Sequence, residues 1–274
     1  SGKKGIGKSL FIKHFLNFIF SNDEDIKYNL KDLEIPKESK CNRLIENKSH
    51  PNIFQISLKE GKKDIEVSQI REMIKFQNTS SFNNMIKCIF IEDLENLNLS
   101  SNSALLKSLE EPNNNVYFFL IYNSETNIPD TIKSRCLEFK LSLNFNNVKI
   151  IVDNYFNEKT FEFISNDFIN FYSSPSFLIS LVKFFKNNDI YYSDLTIESF
   201  LSDIIKEKYY SKDQFIKDNI NVFIEYFFYK NIIKTKLIPY KFKKYYYLKL
   251  SQIKRYNLDL ESFFLEFEEK LLSE

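Results

Sequence analysis

Tryptophan is missing from this sequence, and four residue types are scarce: 274 residues hold four glycines, four arginines, six prolines and three cysteines. Cys41, Cys88 and Cys136 are odd in number and far apart. That argues against a disulfide framework and for free thiols in a reducing compartment, so a cytoplasmic location is expected. No apolar run approaches the roughly 20 residues of a spanning helix, and no membrane contact is expected. A dominant charge is lacking too: 38 basic residues meet 37 acidic ones, net +1. No global field then draws the chain to nucleic acid, and any DNA contact has to be local. The length suits about two domains.

What is present is strongly biased toward phenylalanine (29) and tyrosine (16), with abundant lysine, asparagine and isoleucine. Residues that resist the bias therefore carry information. Gly2, Gly5 and Gly7 all fall in the opening "SGKKGIGKSL", while Gly61 sits in the polar turn "KEGKKD". "GKKGIGKS" fits G-x-x-x-x-G-K-[ST], which this composition yields by chance on the order of one time in a thousand. The pattern predicts a phosphate-binding loop. Backbone N–H groups from Gly2 to Leu10 face the phosphates, the Lys8 ammonium lies between the outer ones, and the Ser9 hydroxyl can ligate Mg²⁺. The helix "KSLFIKHFLNFIF" follows. Such loops are normally reached from a β-strand, so the chain is expected to be a fragment without its first strand.

The run from Ser21 to His50 reads as a polar surface excursion. "NIFQISL" reads as a short buried strand and "DIEVSQIREMIKFQ" as a helix. In "IKCIFIED" an apolar strand ends in Glu92 and Asp93, where a first acid reaches the Mg²⁺ shell and a second the attacking water. The usual order, aspartate then glutamate, is reversed. Glu92 is one methylene long for the metal and Asp93 one short for the water, which argues against efficient hydrolysis. "NLSSNSALLKSLEEP" predicts a helix stopped by proline, "NVYFFLIYNSETNIP" a central strand, and "DTIKSRCLEFKL" a helix end carrying Arg135 and then a last strand. Strands alternating with helices imply a parallel α/β sheet with its ligand at the carboxyl ends. From about Asn144 helices take over, each with an apolar or aromatic stripe better suited to a core than to nucleobases. The basic run "YKFKKYYYLK" reads as a solvated helix face.

The order of "GKKGIGKS", "HPNIFQIS", "DIEVSQIREM", "IKCIFIEDLENLN", "NSALLKSLEEPNNNVYFFLIYNS" and "IPDTIKSRC" resembles that of the clamp-loader AAA+ family. "LLKSLEEP" and "SRC" are the most specific pieces. The resemblance covers residues 1 to about 140, weakens to about 190, and has no motif beyond. It implies a P-loop AAA+ parallel sheet over 1–140, a helical lid over 141–190, and an all-α collar over 191–274. It also implies a subunit of a ring that loads a sliding clamp onto primer-template DNA, beside gamma/tau-type and delta-type partners.

Within that resemblance Gly2, Gly5, Gly7, Lys8, Ser9 and Leu10 would bind ATP, with Ser9 and Glu92 on its Mg²⁺. Asp93 and Asn123 would face the attacking water, and Arg135 would reach a neighbour's nucleotide in trans. Family members with catalytic activity, of gamma or tau type, carry an arginine early in a lid helix. Here "SSPSFLISL" offers Ser176 and Phe177 instead. Where much of the family has a cysteine-rich zinc module, only Cys41 remains, so no zinc is expected. Nucleotide binding with weak or no hydrolysis is the expectation. A catalytic loader ATPase and a scaffold that binds no nucleotide are the alternatives.

Overall fold

The computed structural model describes residues 1–59, 61–169, 174–234, 240–256 and 258–272. They form two compact units, Ser1–Leu143 and Asn144–Glu274.

The first unit is built on three parallel strands, β1 (Ile53–Ile56), β2 (Lys87–Ile91) and β3 (Val116–Leu120), side by side in that order. Ile53 pairs with Cys88, and Cys88 in turn with Tyr117. Because side chains alternate across a strand, β2 feeds two cores. Ile89 and Ile91 pack with Ile56, Ile70, Met73 and Leu105 on one face. Cys88 and Phe90 pack with Leu16, Phe20, Cys41 and Ile45 on the other. Burying each large side chain of this kind contributes about 1.5–3 kcal/mol. The first face is covered by α3 (Val67–Asn78) and α4 (Leu99–Glu110), the second by α1 (Lys8–Phe20) and α2 (Lys40–Glu46). The α4 start is set by Asn98, whose Oδ1 accepts the Ser101 N–H at 2.9 Å.

Three expectations need correction. The polar run Ser21 to His50 contains α2, because Glu24 fastens its start: the carboxylate accepts the Cys41 N–H at 2.6 Å and the Ser39 hydroxyl at 2.8 Å. Cys41 and Ile45 can then reach the core. Residues 137–141 do not join the sheet as a strand; they run alongside Ser1, which accepts from Leu141 N–H at 2.8 Å and donates to the Phe139 carbonyl at 2.7 Å. The helix expected over "FEFISNDFINFY" is instead a 3₁₀ turn (Thr160–Phe163) and a short α7 (Asn166–Ile169), with 170–172 outside the described residues. The Asp153 carboxylate accepts the Phe161 N–H at 2.8 Å and helps set that turn.

Apart from that turn and a π-helical run (Tyr229–Lys234) after α11, the described elements of the second unit are α6 (Phe145–Phe156), α7, α8 (Pro175–Asn187), α9 (Ile197–Lys206), α10 (Tyr209–Lys212), α11 (Gln214–Phe228), α12 (Tyr240–Tyr256), α13 (Glu261–Phe267) and a closing π-helical run (Glu268–Leu272). The segment read as the collar and, from residue 144 on, the one read as the lid fall within it. Its core is aromatic. Phe200, fully buried, has its ring centroid 5.4 Å from Phe168, 5.3 Å from Phe185 and 5.1 Å from Phe223. Edge-to-face pairs of this sort add about 0.5–1.5 kcal/mol each beyond area burial. A half-buried charge network crosses this core: Lys230 Nζ donates to Asp167 and to Glu198, both at 2.8 Å. Burial opposes ionisation of Asp167, yet bonds from Lys230, the Ile197 N–H and the Tyr226 hydroxyl outweigh it and hold its carboxyl below the usual range. Among the described residues no helix is long and apolar enough to cross a membrane.

Candidate functional site at the strand ends

The glycine loop lies at the carboxyl end of the sheet. Gly2 forms a parallel bridge with Asn123, just past β3, and its carbonyl accepts the Ser124 N–H at 3.1 Å. A Cβ on Gly2 would stand 2.6 Å from the Leu141 carbonyl oxygen, so the close approach of these backbones requires glycine. Gly7 caps α1 with a left-handed φ of 91°, which turns the chain from loop to helix. The first turn of α1 holds no acidic side chain. Its positive dipole end is left unopposed for an anion.

Lys8 folds back over the loop, donating from Nζ to the carbonyls of Gly2 (2.6 Å) and Lys3 (2.7 Å). Burial pulls its pKa below the usual lysine value, opposed by the carboxylates of Glu95, then Asp93, then Glu125. Ser9 is half-buried and Leu10 exposed.

After β2 the acids separate. Glu92 is half-buried and its N–H donates to the Ile56 carbonyl at 2.9 Å, extending the β1 side of the ladder. Asp93 is exposed, with a left-handed φ of 53°, and caps a 3₁₀ turn over Leu94–Asn96. That turn is pinned by the Leu94 N–H on the Ile121 carbonyl (2.9 Å) and by the Ile65 N–H on the Asn96 carbonyl (2.7 Å). Glu95 thereby meets the loop: both of its carboxylate oxygens lie 3.3 Å from the Asn123 N–H. Sequence reading missed Glu95, although its place one turn after Glu92 in "EDLE" was the available signal.

The structure therefore brings Gly2, Lys8, Asn123 and Asp93 to one place, with Glu95 added. Arg135, just after α5 (Asp130–Lys133), is engaged within its own chain. Its Nη2 donates to Glu110 at 2.6 Å and its Nη1 to the Thr131 carbonyl at 2.8 Å. Beside β3 a cavity of about 750 Å³ runs between the strand edge and residues 137–141, floored by Phe11 and Phe15 of α1. Tyr117 and Phe139 on its walls are exposed. Strand edge and apolar side chains make it an open sheet edge; the polar groups suited to phosphate lie at the loop.

The first unit is thus a parallel α/β sheet with a glycine loop at its strand ends, and the second is helical. The family described as "DNA polymerase III, delta subunit" matches residues 1–144, over half of the sequence. The chain belongs to that family. It is 34% identical over 101 residues to DNA polymerase III subunit delta' of Pseudomonas aeruginosa, covering 37% of this chain and 31% of that one. It is 36% identical over 100 residues to the Haemophilus influenzae subunit delta', covering 36% and 30%. A DNA polymerase III subunit gamma of Buchnera aphidicola subsp. Schizaphis graminum is 29% identical over 174 residues, covering 61% and 46%. The chain thus spans about a third of the length of the two delta' relatives it matches. A solved gamma subunit-related protein from Thermotoga maritima aligns at 22% identity and a TM-score of 0.34, over 38% of this chain and 34% of that one.

Proposed function

We propose that this chain works as a delta-prime-type clamp-loader subunit of bacterial DNA polymerase III, acting in the cytoplasm with gamma/tau-type and delta-type subunits to place a sliding clamp on primer-template DNA. It binds ATP with Mg²⁺, hydrolyses it weakly or not at all, and lends Arg135 to a neighbour. The observation that carries the nucleotide part is the meeting of Lys8, the unopposed start of α1 and Asn123 at one end of the sheet.

These residues fit a phosphate chain: loop N–H groups and one ammonium, with no acid in the helix's first turn. Gly2, Gly5, Gly7 and Leu10 would frame it, and Lys8 would exchange its carbonyl partners for phosphate oxygens. Among the described residues no group of three or more acids, histidines or cysteines could hold a metal unaided. Mg²⁺, which normally takes one or two protein ligands beside phosphates, would therefore arrive with the nucleotide, at Ser9 and Glu92. Mg²⁺ would neutralise phosphate charge there. Asp93 and Asn123 would be the groups that orient a water. The reversed acids and the missing lid arginine argue against turnover.

The test is calorimetric titration of ATP-Mg²⁺ into the full-length protein beside a steady-state ATPase assay. Binding without turnover, abolished by Lys8→Ala, is expected. Turnover that collapses in Lys8→Ala would move the chain to the catalytic class, and no binding would leave a scaffold.

A further inference from the structure

Glu95 stands on a turn that is held at both ends. Its turn is fastened to the end of β3 through Ile121 and to Ile65 ahead of α3, and Leu94 beside it is buried. Its carboxylate sits on the Asn123 N–H; Asn123 pairs with Gly2; the Gly2 carbonyl receives Lys8 Nζ. Acid and ammonium are thus fixed on the two sides of one backbone bridge.

The charges around that bridge are divided. The loop contributes Lys3, Lys4 and Lys8, while Asp93, Glu95 and Glu125 stand on the strand-end side. Asp93 and Glu125 are exposed, so water weakens their effect. Glu95 is half-buried and tethered. We propose that Glu95 is the positioning acid of this loop: it makes nucleotide binding conditional on a divalent cation, because a bare triphosphate meets its carboxylate while a cation-bearing one is attracted to it. This deepens the nucleotide reading above and rests on it. Glu95 breaks no bond; it orients the Asn123 amide and sets the field that the phosphates enter.

The experiment titrates ATP into the full-length protein with Mg²⁺ and again with a chelator, for wild type, Glu95→Gln and Glu95→Asp, each checked for a cooperative melt. Wild type is expected to bind ATP much more tightly with Mg²⁺. Removing one charge beside the loop is expected to narrow that ratio about three- to tenfold in Glu95→Gln, mainly through tighter cation-free binding. Glu95→Asp, which keeps the charge, is expected to retain most of the wild-type ratio. Equal ratios in wild type and Glu95→Gln overturn the proposal and leave nucleotide binding intact. Absence of ATP binding by wild type in both buffers overturns the nucleotide reading, and this proposal with it.

Discussion

The two units solve the same problem, burying apolar surface, with different means. The sheet unit holds all four glycines and all three cysteines, and its aliphatic layers leave polar groups gathered at one sheet end. The helical unit has no glycine and interlocks rings instead, with Phe168, Phe185 and Phe223 around Phe200. Chemistry restricts residue type at the first: only glycine allows the Gly2 approach, and only a long cation spans from α1 to the loop. Packing restricts size and spacing at the second, so many apolar sequences would serve. The first unit is accordingly the one whose function can be read residue by residue.

This contrast can be broken experimentally, beginning with the sheet unit. In a loader assembled with its partner subunits, Arg135→Ala should lower ATPase by about a thousandfold or more if the guanidinium acts on a neighbour's phosphate. Unchanged turnover would reduce Arg135 to the partner of Glu110. Glu110→Gln should change that rate no more than a few-fold, since a half-exposed ion pair contributes about 0–1 kcal/mol.

For the helical unit, Phe200→Ala should cost about 3–5 kcal/mol, read by chemical denaturation followed by circular dichroism. A loss below 1 kcal/mol would mean the ring cluster is not its core. A smaller effect comes from acid. Bonds from Lys249 and then Lys270 hold the Glu266 carboxyl down to about 2 against an ordinary value of 4.5. A depressed acid stabilises the fold above its unfolded value. That stabilisation, on the order of 1 kcal/mol, should drain away as pH falls from 4.5 toward 2, and Glu266→Gln should flatten this part of the acid unfolding curve.

Much of the sheet unit was legible in the sequence. After Lys87, "CIFI" is apolar throughout because helices cover both faces of β2, and "NLSSNSALLKSLEEP" carries its own cap and stop. The excursion hid α2 because its anchor, Glu24, lies 17 residues from the Cys41 N–H it accepts. The expected last strand failed because apolar character in "LEFKL" gives no pairing partner by itself. Glu95 was missed because a strand-end motif directs attention to the first two acids, whereas the following turn decides which one the loop meets. In the helical unit, stripes reveal helices but not where a chain breaks, as at the turn set by Asp153.

The cysteines acquire a use from their placement. Burial pushes the thiols of Cys41 and Cys88 up to about 12, with the Glu24 charge adding to the rise at Cys41, while Cys136 is only half-buried. A thiol reagent reacts with thiolate it can reach, so Cys136 should be modified first and the other two only when the core opens. All three lie in the sheet unit. Labelling kinetics would therefore clock the opening of the sheet half by itself, with the aromatic half silent in the same tube.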